Sequence, residues 1–180
     1  MSGVLCKHLA YPRSVVLSIA VMSVLLLVQT IAMAADVTTL FQDAQTTASQ
    51  LAKDAATMES YTRSNVNWQS HASQIAQIKQ HLNEAGSILS QMHAARDDAQ
   101  PWHQVAIDGI TPALKELASN TESIINHLNE NPKHLTDPAY VNYLQSNAQS
   151  AAELSAAVGN VVDYDKTKAK MEELETKLGR

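Results

Sequence analysis

The chain has 180 residues, 13 of them Lys or Arg and 18 Asp or Glu, for a formal net charge of −5 at pH 7. An acidic chain with no basic patch is a poor partner for nucleic acid, and none is expected. Its single cysteine excludes an intrachain disulfide and a CxxCH haem attachment.

Lys7, His8 and Arg13 precede an uncharged stretch from Ser14 to Ala35, densest in apolar residues between Val15 and Val28. Ala32-Met33-Ala34 then places small residues at the two positions a signal peptidase reads. The expectation is a signal peptide over 1–34 and a mature chain starting at Ala35, exported to the periplasm or outside the cell. The rival is an uncleaved anchor, since about 20 apolar residues can span a bilayer. Membrane contact is expected only in that case. Cys6 lies before the apolar core and is not placed like a lipoprotein acylation cysteine. Cleavage removes Cys6, Lys7 and Arg13 but no acid, leaving a more acidic chain with no thiol.

Asp36 reads as an N-cap, and Val37, Leu40, Ala44, Ala48, Leu51, Ala55 and Met58 follow at helical spacing. This predicts a first amphipathic helix ending near Tyr61 to Ser64, then a polar link, Ser64 to Asn67. From Trp68 to Leu128 the pattern is a helical hairpin. The seam of its first arm is Trp68, His71, Ile75, Ile78, Leu82, Ala85, Leu89 and Met92, alternating steps of three and four as in a coiled coil. Asp97 to Pro101 makes the turn, with Pro101 suited to a first helical turn. The second arm carries Ile107, Ile110, Leu114, Leu117, Thr121, Ile124 and Leu128. Gly109 and Pro112 predict a kink near 108–112, not a break, because the seam keeps its phase.

Two prolines mark a loop over 129–138, with Asp137 as cap and Pro138 as first helical residue. The next helix is read from Val141, Leu144, Ala148, Ala151, Ser155, Val158 and Val162. Gly159 and Asp163-Tyr164-Asp165 predict a weakening. Beyond it lies a charged helical segment, 164–180, that either extends the fourth helix or projects from the bundle, with Tyr164, Met171, Leu174 and Leu178 on one side and dispensable for folding from Asp165 onward. No stretch alternates as a strand would. The expected fold is all-α: an up-down-up-down four-helix bundle over 35–163 with a C-terminal helical extension.

Chemistry is sparse. No Glu-x-x-His occurs and no two histidines stand four apart, which argues against a ferritin-like oxidase or a helix-borne zinc protease. No GxSxG or Gly-rich phosphate loop is present. The folded hairpin sets His71 level with His127, with His134 in the loop beyond, and His93 level with His103 near Asp97. Each end then holds a histidine group with the residue types of a metal or haem site, Met58 being a further ligand type near His71. The competing reading is a solvated His93, His127 and His134, with His71 satisfied at an interface. Pro112 gives a third reading, a small-molecule sensor whose cleft the kink shapes. Trp68, Trp102, Tyr61, Tyr140 and Tyr143 are read as plugs at the bundle ends or as contact patches.

Ser60 to His71, Asn120 to Asn129 and Tyr164 to Lys170 together resemble segments of uncharacterised exported bacterial helical-bundle proteins. That resemblance implies export and helicity, and no activity, because those proteins have none assigned. The sequence therefore points to an exported, non-enzymatic bundle that binds a protein or cell-envelope partner, with no cofactor. Tyr61, Trp68, His71 and His127 are the residues expected in contact. Self-association into a homo-oligomer stays open.

Overall fold

The computed structural model describes residues 36–64 and 66–179; the expected signal segment and the expected cleavage position after Ala34 lie outside them. The described chain is all-helical. Helix α1 spans Val37–Ser60, α2 Trp68–Ala94, α3 Pro101–Glu130 and α4 Pro138–Lys177. Three-residue 3-10 turns, Tyr61–Arg63 and Arg96–Asp98, follow α1 and α2. Each helix packs on its neighbours in the chain, and α4 closes the ring on α1. This is the up-down-up-down bundle that short links impose on consecutive helices.

The ends follow local chemistry. The Asp36 carboxylate accepts the Thr38 amide at 3.3 Å, and Asn67 caps α2 through the Ser70 amide at 2.9 Å. Pro101 and Pro138 open α3 and α4. Asp137 takes the cap position by its backbone, but its side chain bonds no helix amide; it lies 3.9 Å from His134 instead. The turn between α2 and α3 is pinned by Arg96, whose Nε and Nη2 reach the two Asp108 oxygens at 2.9 and 2.6 Å. That guanidinium holds the Asp108 carboxyl below the usual carboxylate range. α3 runs unbroken through Pro112, as its phased seam predicts.

The core corrects the seams where a helix has two neighbours to satisfy. All seven predicted α3 positions are buried, and His103, one turn earlier, joins them. On α2, Trp68 is half-exposed and Leu82, Ala85 and Leu89 are only partly covered, while Gln74 and Ile88 are buried. Gln74 and His81 both face Asp54 on α1, so the buried face of α2 is wider than a two-position stripe and turned toward α1. On α4 the buried set is Tyr140, Leu144, Asn147, Ala151, Leu154, Val158 and Val162. Tyr140, Asn147 and Leu154 thus replace the expected Val141, Ala148 and Ser155. The larger side chains take the interior, and Asn147 is tolerated there because it accepts the Thr121 hydroxyl at 3.2 Å.

α4 shows no weakening at Gly159 or Asp163. It continues to Lys177 and ends where Gly179 adopts φ +69, a left-handed conformation glycine takes without strain. Its last buried residue is Val162, so the turns after Lys168 project beyond the bundle.

Candidate functional site

Tyr140 organises the end formed by the Ser64–Asn67 link and the 131–137 loop. It is fully buried, in the first turn of α4. Its hydroxyl shares a 2.8 Å hydrogen bond with His71 Nδ1, and its ring stacks on His127 at 4.5 Å. Tyr61 meets the edge of His71 at 5.1 Å. Trp68 Nε1 donates to the Leu128 carbonyl at 3.0 Å, tying the start of α2 to the end of α3. The four residues expected here, Tyr61, Trp68, His71 and His127, are therefore gathered at one end. His71 and His127 meet through Tyr140, which the sequence offered as an end plug or a contact patch.

The chemistry of this group is that of a buried polar contact. Burial lowers the His71 pKa and pushes the Tyr140 phenol well above its ordinary value, so both stay neutral. His127 Nε2 donates to the His134 carbonyl at 2.9 Å, which places its proton on that nitrogen. His134 contributes its backbone, not its ring; the imidazole turns to Asp137 in solvent. The candidate ligands His71, His127 and His134 thus turn to separate partners, Tyr140, the His134 carbonyl and Asp137. Among the described residues, no group of three or more His, Cys, Asp or Glu side chains is arranged to hold a metal ion.

At the opposite end His93, His103 and Asp97 separate. His103 lies on the core face of α3, stacked on Phe41 at 5.0 Å, and its Nε2 donates to Asp165 at 2.8 Å. Trp102 Nε1 donates to the other Asp165 oxygen at 2.9 Å. His93 sits on the outer flank of α2. The Thr111 hydroxyl gives its hydrogen to the Ile107 carbonyl and so accepts from His93 Nε2 at 2.9 Å. The Asp97 side chain is fully exposed. Being level along the bundle did not put these groups on facing sides. A further pair, His81 with Asp54 at 2.8 Å, joins α1 to α2. Neither Asp54 nor Asp165 carried a sequence signal of its pairing, because each pairs with a histidine from a distant stretch of the chain.

Open surface lies beside the first end. Tyr61, Asn67, Gln69, Ser70, Ser73, Gln74 and Gln77 line a groove of about 320 Å³ between the link and α2. Its lining is amide, hydroxyl and one phenol, without a charge. Pro112 is exposed elsewhere on α3, away from this groove. Among the described residues no helix is long and apolar enough to cross a membrane. No protein-family model matches the chain, and no curated protein or solved structure matches it.

Proposed function

We propose that the chain is an exported, non-enzymatic helical bundle that serves as a binding module of the cell envelope, in the periplasm or outside the cell. What supports the reading is the link end: an uncharged groove lined by Gln, Asn and Ser sits on a rigid aromatic and histidine plug. Side-chain amides and hydroxyls offer donors and acceptors without a charge, which suits an uncharged polar surface of a protein or wall component. The plug holds Tyr61 and the start of α2 in place, so binding orders little new structure.

Co-sedimentation with isolated cell envelopes tests this. The exported protein should pellet with them. Gln69→Lys combined with Gln77→Lys, both exposed groove positions, should abolish pelleting while leaving the melting temperature unchanged. Equal pelleting of the two proteins, or none by either, overturns the proposal. Export predicts a mature N-terminus at Ala35, read by N-terminal sequencing; intact Met1 on membrane-bound material means an anchor instead. The rival is a metal or haem bundle using His71 with His127 or Met58. An absorbance spectrum and metal analysis of the purified mature protein test it, and a Soret band or stoichiometric metal would replace the binding-module reading.

A further inference from the structure

The projecting end of α4 carries apolar surface that its own bundle does not use. Tyr164, Met171, Leu174 and Leu178 are 49% to 72% exposed. Successive helical residues turn by about 100°, which places these four in one arc roughly 160° away from Ala151, Leu154, Val158 and Val162. The stripe therefore faces away from the core, and Met171, Leu174 and Leu178 keep heptad spacing. At its root is a shallow cavity of about 180 Å³ between α3 and α4, lined by Trp102, Asn160, Val161 and Tyr164 and almost wholly apolar.

The charges beside the stripe are segregated. Lys166, Lys168 and Lys170 precede Met171 with one acid, Asp165, bonded back to the bundle, and Glu172, Glu173 and Glu175 follow it with one base before Leu178, Lys177, so the two halves carry opposite net charge. In the single chain they are bonded along their own helix, Lys168 to Glu172 and Lys177 to Glu173, all exposed and free to exchange partners.

We propose that this face pairs antiparallel with the same segment of a second copy, about a twofold axis near Met171. That register sets the basic half of each segment beside the acidic half of the other. A parallel pair would instead set each residue level with its own counterpart, so Leu178 would meet Leu178 and the cavity beside Tyr164 would stay unfilled. The antiparallel register brings Leu178 of one copy level with Tyr164 of the other, where the apolar cavity receives it. The two bundles then lie at opposite ends of a short two-stranded coiled coil and do not collide. The contact is isologous and closes as a dimer. The overlap of about 15 residues spans roughly 22 Å, so the interface is small and the association is micromolar or weaker. It involves none of the residues of the link-end groove, so its failure would leave that proposal standing.

The test uses the full exported chain at rising concentration in an analytical ultracentrifuge. The mass should double across the micromolar to millimolar range, and added salt should shift the midpoint to higher concentration. Met171→Glu should hold the protein monomeric with an unchanged far-UV melting curve. Orientation is read by mild oxidation in a Cys6→Ser background. Met171→Cys should form a disulfide-linked dimer. Leu178→Cys should not link to itself but should link to Tyr164→Cys when the two are mixed. A wild-type protein that stays monomeric throughout, or Leu178→Cys linking to itself as readily as Met171→Cys, overturns the proposal.

Discussion

Asp165 receives the indole N–H of Trp102 and the Nε2–H of His103, and the His103 side chain is only 5% exposed. Asp165→Ala leaves both donors unpaired in a largely dry site. The expected loss is about 2–4 kcal/mol, read as a lower urea midpoint with unchanged slope. Asp165→Asn keeps one accepting oxygen and should lose about half as much. Equal stability of Asp165→Ala and wild type would mean that water replaces the carboxylate. His71 poses a different problem, because burial favours its neutral form. Its folded pKa lies below the unfolded value of about 6.5, so between the two the unfolded chain binds more protons. Its contribution to stability is fully present above pH 6.5 and is lost as pH falls toward the folded value. The urea midpoint should fall between pH 7.5 and 5 by more in wild type than in His71→Gln. Parallel pH profiles for the two would remove His71 as the cause.

At the scale of the element, α4 is where sequence and structure part most instructively. Gly159 and the Asp163-Tyr164-Asp165 run look like a boundary because they interrupt the apolar spacing. The helix passes through because Val162 is buried and Asp165 is bonded across to α3. Periodicity reports which residues avoid water; it is silent on a carboxylate fixed by two N–H groups. The true edge of the fold is therefore later than Asp165. Lys168 still lies over the Trp102 ring at 5.4 Å, and every described residue after it is exposed. Deleting residues from Ala169 onward should leave the melting temperature of a dilute sample within about 2 °C of wild type, as expected for a solvated segment. Deleting from Asp165 onward should lower it by about 8 °C or more, since 1 kcal/mol moves a domain of this size by roughly 2–4 °C or slightly more. Similar melting for the two truncations would restore the earlier boundary.

For the whole molecule, helix count, order and turn positions were legible because capping residues, prolines and apolar period act locally. The α3 seam was legible residue by residue, since every predicted position meets the core. The candidate site was legible only as a neighbourhood. Antiparallel folding places His71 near His127, but their common partner, Tyr140, comes from α4, whose register the smaller residues Val141 and Ala148 disguised. The same geometry carries a prediction about cooperativity. The buried cluster runs without interruption from Phe41 and Ile107 at one end to Leu128 and Tyr140 at the other. A continuous core, with no second one among the described residues, should unfold all-or-none. The two tryptophans sit at opposite ends, Trp68 bonded to Leu128 and Trp102 to Asp165, and report on them separately. In Trp68→Phe only the turn end fluoresces, and in Trp102→Phe only the link end. Trp102→Phe should be the less stable, because it strands one Asp165 oxygen. Within each variant, however, the fluorescence and far-UV circular dichroism transitions in urea should share one midpoint. A fluorescence midpoint displaced from the dichroism midpoint in either variant would show that end opening on its own, and the bundle would then be two cooperative units instead of one.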